Sequence, residues 1–108
     1  MILIVLAALS GALAVAAGAF GAHGASGSAA EWLRTGAQYQ LIHVVAALVA
    51  VQMGQKGPAW LFVVGAAIFA ITLYAMALGA PRWFGAITPI GGALLIGGWL
   101  WLAWSASR

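Results

Sequence analysis

A chain of 108 residues that is 66% hydrophobic and only 5% charged is too apolar for a soluble globular protein, in which about 45–50% apolar and about 25% charged residues are usual. Its net charge of +3 comes from four singly placed lysines and arginines, so there is no basic patch for nucleic acid. The single carboxylate and the lack of cysteine exclude paired-carboxylate catalysis, thiolate nucleophiles and cysteine-ligated metals. The composition indicates a membrane protein, and at about 20 residues per span the length allows four helices.

The first predicted helix covers about residues 2–22, which carry no charge. Its opening apolar run could instead be the hydrophobic region of a signal peptide, because small-residue motifs that resemble cleavage sites follow it. No lysine or arginine precedes the run, and it is long enough to span, so we expect a retained helix. Small residues at every fourth position predict a face for close helix packing: Ser10, Ala14, Gly18 and Ala22.

The second predicted helix covers about residues 29–54 and follows a loop of glycine, alanine and serine that holds His23. Ser28 and Glu31 are three residues apart, the spacing of a capping box, in which the two side chains bond the first free amides of a helix. We therefore expect the helix to begin immediately after Ser28.

The third helix is predicted over about residues 58–78, with Pro58 as its first residue, where the missing amide hydrogen costs little. The fourth is predicted over about residues 84–103, with Pro89 in its first turns. The sequence thus predicts an all-α fold, a compact bundle of four transmembrane helices in a single domain covering residues 1–108.

Four spans place both termini and the Lys56 turn on one side of the bilayer, and the His23 and Arg82 loops on the other. Lysine and arginine are divided equally between the two sides, so the positive-inside rule does not choose an orientation, and insertion in both orientations stays open. The N-terminal amine favours cytoplasmic termini in a cell inner membrane. Aromatic residues form two belts that agree with this topology: Trp60, Trp99, Trp101 and Trp104 on the first side, and Trp32, Trp83 and Phe84 on the second.

Polar side chains concentrate on the second helix. At 100° per residue, every fourth residue advances by only about 40°, so these side chains predict one polar face. Its last member, His43, would lie roughly 10–16 Å deep in the hydrocarbon, where a polar group is costly and marks a candidate functional site. The stripe with its flanking residues is Glu31, Arg34, Thr35, Gln38, Tyr39, Gln40 and His43.

Three roles are open for His43. A neutral His43 bonded to Tyr39, Gln40 or a neighbouring helix would hold the bundle together, and this structural role is the leading interpretation. A role in handling a proton or ligand is the first alternative. A metal or haem site is the weaker alternative, because the only other histidine, His23, is predicted at the membrane surface. We therefore expect no metal site and no cofactor.

Other polar residues predict where a pocket would open. Glu31 is expected to contact Arg34 or Arg82, and both arginines are expected to extend to lipid headgroups. Thr72 can bond the carbonyl one turn earlier and needs no other partner. Tyr74 and Thr88 fall near the membrane face of Tyr39 and Arg34, so the predicted pocket neighbours are His23, Tyr74, Arg82 and Thr88.

Glycine pairs in the fourth helix predict close packing within the chain.

Four stretches in order resemble the DUF423 family, also designated UPF0382, whose animal relatives are called transmembrane protein 256. They are Gly18–Gly24 (GAFGAHG), Trp32–His43 (WLRTGAQYQLIH), Phe69–Tyr74 (FAITLY) and Ile87–Gly92 (ITPIGG). The resemblance implies a small multi-spanning membrane protein and brings no established activity. It also implies a histidine where this chain has Gln40, within Gln-Tyr-His-x-x-His, and a serine where it has Thr72. Half of any histidine pair would be missing here, which favours hydrogen bonding over metal binding.

The leading functional hypothesis is a non-enzymatic interaction or accessory protein of the membrane. Its expected partners are the lipid bilayer and either a second copy of the chain or another membrane protein. One alternative is a small transporter or proton-conducting protein that uses Tyr39 and His43. Another is a protein that binds lipid, quinone or haem at the face of Arg34 and Arg82.

Overall fold

The computed structural model describes residues 1–108 and contains helices and turns but no strand. The helices are α1 (Ile2–His23), α2 (Gly27–Gln52), α3 (Lys56–Ala77), the 3₁₀ helix η1 (Arg82–Ala86) and α4 (Thr88–Ser107). The predicted all-α fold with four long helices is confirmed.

Short connections make consecutive helices antiparallel neighbours. α1 packs on α2, α2 on α3 and α3 on α4, with a smaller contact between α1 and α3. The turns after α2 and α3 contain Gly54 and Gly79, whose φ angles of 75° and 110° lie in the left-handed region that glycine adopts without strain. α2 and α3 therefore form the centre of the bundle, and α1 and α4 form its flanks.

Small residues let the backbones approach closely. A Cβ atom added to Gly18 would lie 3.3 Å from the Cβ of Ala37 on α2, so part of the predicted small-residue face of α1 packs within the chain. The contact between α3 and α4 is closer still, because a Cβ on Gly91 would lie 2.7 Å from the carbonyl oxygen of Gly65. In lipid, where hydrophobic association is weak, such close contact supplies much of the packing energy.

Two predicted helix starts need correction. α2 begins at Gly27 after the extended N-cap Ser26, which makes no side-chain cap hydrogen bond, so the predicted capping box from Ser28 is wrong. The positive φ of Gly27, 61°, sets the direction in which the chain enters the helix, and Ser28 already lies in the first turn. Pro58 is the third residue of α3 rather than the first, although it still lies among the residues whose amides have no partner within the helix.

The loops are also shorter than predicted on the His23 side. α1 continues to His23, so this residue ends a helix instead of lying in a loop. Between α3 and α4, the segment Arg82–Ala86 forms a 3₁₀ helix, and Pro89 is the second residue of α4. The predicted start of the last helix at residue 84 therefore merged two elements.

Three segments are long and apolar enough to cross a membrane: Ile2–His23, Lys56–Ala77 and Arg82–Ser107. α2 is the fourth helix of the bundle, and its polar residues lower its hydropathy. A helix of 22 residues rises about 33 Å, which matches a hydrocarbon layer of about 30 Å. Gly11, near the middle of α1, lies against Val44, so His43 and Val44 on α2 are level with the middle of the first candidate span.

Candidate functional site

Gln40 joins three helices through its side-chain amide. Its Nε2 donates to Ser10 Oγ on α1 over 2.7 Å, and its Oε1 accepts from the Tyr74 hydroxyl on α3 over 2.7 Å. Gln40 is only 1% exposed; its bond to Tyr74 is buried and its bond to Ser10 is partly buried. An amide supplies the donor and the acceptor from one group, which allows Gln40 to connect two hydroxyls that do not contact each other.

Gly36 makes room for this connection. A Cβ at Gly36 would lie 2.7 Å from Cε1 of Tyr74, so the absence of a side chain lets the phenol pack across α2. Tyr74 then reaches Gln40, one turn further along α2, with its hydroxyl. A small residue on one helix thus places a polar group of the next helix.

His43 connects α2 to α4. Its Nδ1 lies 2.6 Å from the carbonyl oxygen of Tyr39, and its Nε2 lies 3.0 Å from the indole Nε1 of Trp99. A carbonyl oxygen only accepts and an indole N–H only donates, so Nδ1 must carry the hydrogen and Nε2 must be the acceptor. Both contacts require the same neutral tautomer, and together they use both nitrogens of the ring.

Aromatic rings surround this histidine. The Phe62 and Trp99 rings lie 5.9 Å from the His43 ring and 4.8 Å from each other, between centroids. On the other side, the Tyr39 ring is nearly parallel to the imidazole at 6.2 Å and stacks on Phe69 at 4.6 Å. His43 is therefore enclosed by rings from α2, α3 and α4, which exclude water from it.

A third polar contact joins α3 and α4. Thr72 and Thr88 place their hydroxyl oxygens 2.6 Å apart, and both residues are buried. Thr72 also donates to the carbonyl of Ile68 at 2.9 Å, so the predicted bond one turn earlier is present, but Thr72 has an interhelical partner as well. No buried side-chain nitrogen or oxygen lacks a hydrogen-bond partner.

The predicted polar stripe is divided between two sides of α2. Gln40 and His43 point into the bundle, and Tyr39 is 45% exposed beside them. The remaining members, Glu31, Arg34, Thr35 and Gln38, are exposed on the outer side and make none of the side-chain hydrogen bonds. Four-residue steps drift by about 40° each, so a stripe that starts on the outer face reaches the interior at His43.

Of the predicted pocket neighbours, Tyr74 is the one hydrogen-bonded to a residue of the stripe, Gln40. His23 and Arg82 are exposed, whereas Tyr74 and Thr88 are buried in separate hydrogen-bonded contacts. Arg82 does not pair with Glu31, and its guanidinium lies 5.8 Å from the ring centroid of Trp32. This is the cation–π geometry of an arginine held at the membrane surface.

Two grooves open elsewhere, on the lipid side of α3. One, of about 240 Å³, runs between α1 and α3, and its polar lining residues are Ser10 and Gln40. The other, of about 270 Å³, lies between α3 and the start of α4, with Thr72 as its polar residue. The walls of both grooves are apolar, and neither groove is lined by His23, Tyr74, Arg82 or Thr88. No three histidine, aspartate or glutamate side chains lie close enough together to hold a metal ion.

Comparison with known proteins identifies the family. The family model described as "Protein of unknown function (DUF423)" matches residues 17–92 of the chain. The chain belongs to the DUF423 family. The predicted resemblance is thereby confirmed. No solved structure matches the chain.

Bacterial relatives in this family are named as membrane proteins. The UPF0382 inner membrane protein YgdD of Escherichia coli K12 is 36% identical in an alignment of 84 positions, gaps included, that covers 71% of this chain and 64% of that protein. A UPF0382 membrane protein of Haemophilus influenzae is 37% identical in an alignment of 88 positions that covers 74% of this chain and 69% of that protein. One from Staphylococcus epidermidis is 38% identical in an alignment of 110 positions that covers 92% of this chain and 89% of that protein. The predicted location in the cell membrane is confirmed, and these DUF423 relatives bring no named activity.

The match to the E. coli protein covers slightly less than two thirds of its length. The family and the names of its members establish that this chain is a small integral membrane protein. The role of the hydrogen-bonded side chains has to be argued from their geometry.

Two residues of the polar contacts were not predicted from the sequence. The sequence predicts Ser10 on the packing face of α1 and Trp99 in an aromatic belt. The structure keeps Ser10 on the packing face, where it bonds Gln40. Trp99 lies near the middle of α4 against His43, so its predicted place in a belt at the membrane surface is wrong. The one available signal was that a membrane-buried glutamine and histidine each need two partners, which neighbouring helices must supply.

Proposed function

We propose that this protein acts as an interaction or accessory factor, by binding other components of the membrane, and that it neither conducts protons nor catalyses a reaction. The observation that carries the proposal is that the polar side chains inside the bundle all have hydrogen-bond partners within the chain. Gln40 is bonded at both ends of its amide, and His43 at both ring nitrogens. These groups connect helices, and the surface left for function is the one facing lipid.

Proton conduction needs a carrier whose neighbours can supply and remove a proton. The Nδ1–H of His43 points at a backbone carbonyl, which does not take up a proton, and its Nε2 faces the indole N–H of Trp99, which does not release one. Turning the ring would break both contacts at once. The surroundings of His43 thus favour a structural role over transport.

Catalysis by His43 would need a second group beside it. The only carboxylate of the chain, Glu31, lies twelve residues earlier on α2, about 18 Å away along the helix axis. Glu31 is also exposed on the outer face of α2, away from the imidazole. This separation supports a non-enzymatic role.

Proton flux into vesicles tests the proposal directly. Purified protein is reconstituted into liposomes loaded with a pH-sensitive dye, and a pH gradient is imposed with and without a membrane potential. We expect the wild-type protein to give the same flux as protein-free liposomes. Flux above that background that disappears in His43→Ala would contradict the proposal and support the transport alternative.

Crosslinking in native membranes tests the interaction itself. A photoreactive residue at Val15, an exposed position on α1, samples the lipid-facing surface without entering the bundle. We expect a reproducible adduct with a protein, either a second copy of the chain or another membrane protein, from at least one exposed position. If scanning exposed positions of all four helices gave only lipid adducts identical to those of an unrelated helix bundle, an accessory role would be refuted.

A further inference from the structure

The outer face of α2 carries an unpartnered stripe with coiled-coil spacing. Its members are separated alternately by four and three residues, and all are exposed. An average step of 3.5 residues is the spacing with which two helices wrap around each other and pack side chain to side chain. The stripe consists of Glu31, Thr35, Gln38, Ile42, Val45, Val49 and Gln52.

Gln38 is the polar member of this stripe inside the hydrocarbon. It lies five residues from His43, so it is about 7 Å from the middle of the bilayer and about 8 Å below the headgroups. Its amide makes none of the side-chain hydrogen bonds of the chain, although Gln40, two residues later, makes two. An amide facing lipid at this depth is costly, and a partner from another helix relieves that cost.

The amide of Gln38 fits a second copy of itself. It contains one donor group and one acceptor group, so two such amides related by a two-fold axis can each donate to the other. Two copies inserted in the same orientation have a two-fold axis along the membrane normal, which makes their α2 helices parallel and brings equivalent residues together. Ile42, Val45 and Val49 then meet their equivalents in the next turns of the stripe.

We propose that the stripe on α2 is a homodimer interface, in which the Gln38 amides of two chains form a reciprocal hydrogen bond above a seam of Ile42, Val45 and Val49. Glu31 at the end of the stripe lies about 18 Å from the middle of the bilayer, where water solvates the two carboxylates. This inference deepens the proposed function by naming one partner, a second copy of the chain, and one surface.

Disulfide crosslinking tests the interface, because the chain has no cysteine of its own. Val45→Cys places a thiol on the seam, and Val64→Cys is the matched control on α3. Both valines are exposed, 52% and 41%. The Tyr39 ring stacks on Phe69, and α2 and α3 are antiparallel. Val45, six residues after Tyr39, is therefore nearly level in the membrane with Val64, five residues before Phe69. In liposomes of purified protein, we expect a covalent dimer from Val45→Cys and at least fivefold less from Val64→Cys.

The amide is tested separately by its effect on association. Gln38→Leu keeps the size of the side chain and removes both hydrogen bonds, so we expect the dimer association constant, measured by energy transfer in a lipid dilution series, to fall roughly fivefold. Gln52→Leu, at the membrane surface, is the control and should change it less than twofold.

Equal crosslinking at Val45 and Val64, or unchanged association in Gln38→Leu, would overturn the homodimer. Crosslinking of Val45→Cys only to a different protein in native membranes, with none between copies in liposomes, would also overturn it. That outcome would leave the proposed accessory function intact, whereas His43-dependent proton flux would refute the accessory function without affecting the dimer.

Discussion

Replacing Gln40 with leucine should destabilise the bundle more than the same replacement at Gln38. The change removes one hydrogen bond to Ser10 and one to Tyr74, and leaves the Tyr74 hydroxyl buried without a partner. Interhelical hydrogen bonds in membranes contribute about 0.6 kcal/mol on average and up to about 1.7 kcal/mol each. A buried hydroxyl left unpaired costs about 1–3 kcal/mol. We therefore expect Gln40→Leu to lower the free energy of unfolding by about 1.5–3 kcal/mol.

Gln38→Leu is the matched control for this prediction. It makes the same chemical change two residues earlier, but on the outer face of α2, where no intramolecular bond is lost. At a protein-to-lipid ratio low enough to keep the chain monomeric, its free energy of unfolding should change by no more than about 0.5 kcal/mol. The assay is reversible unfolding in mixed micelles, followed by tryptophan fluorescence and helical circular dichroism.

A double-mutant cycle separates the Gln40–Tyr74 bond from the rest of the effect. Tyr74→Phe removes the hydroxyl and keeps the ring. Each single change already breaks the bond between Gln40 and Tyr74, so the double variant loses that bond only once. We expect the double variant to lose at least about 0.5 kcal/mol less than the two single losses together. Equal losses from Gln40→Leu and Gln38→Leu, or strictly additive losses in the cycle, would refute this account of the interior.

Three further predictions concern neighbouring contacts. Gly91→Ala should lower the free energy of unfolding by about 2 kcal/mol or more, because the new Cβ would lie 2.7 Å from the carbonyl oxygen of Gly65 on α3. Gly92→Ala should be neutral or stabilising, because its Cβ would lie 3.8 Å from the nearest atom, in the Phe69 ring. Equal losses in thermal unfolding would refute this. Trp99→Phe should cost about 1 kcal/mol, because His43 Nε2 loses its donor; a loss near zero in the same assay would count against that bond. Gln40→His should stay within about 1 kcal/mol of the wild type, because a neutral histidine also supplies one donor and one acceptor; a loss as large as that of leucine would contradict it.

The sequence was sufficient for the helix count, because the count follows from the lengths of the apolar segments. It was not sufficient to distinguish Gln38 from Gln40. Their polarity is the same and they are two residues apart, so only the rotation of α2 against α1 and α3 decides which amide is buried. Glycines such as Gly36, which admits the Tyr74 ring, help to set that rotation, and no pattern within α2 alone reveals it.

Partners across the bundle were the other point that local patterns missed. The structural interpretation of His43 named Tyr39, Gln40 or a neighbouring helix, and its contacts are the Tyr39 carbonyl and Trp99. Trp99 is 56 residues away in the chain, so no spacing argument could join them. The capping box is wrong for a local reason. α2 begins at Gly27, one residue before Ser28, so the amides that a cap at Ser28 would bond already have partners within the helix.

The tautomer of His43 tests the central claim, that the buried polar groups are fixed connections between helices. Nitrogen NMR of ¹⁵N-histidine protein in lipid, with His23→Ala leaving a single histidine, reports which ring nitrogen carries the hydrogen. We predict a hydrogen on Nδ1 and none on Nε2, with a cross-peak between Nε2 and the indole N–H of Trp99. A hydrogen on Nε2, or exchange of the hydrogen between the two nitrogens, would contradict the claim.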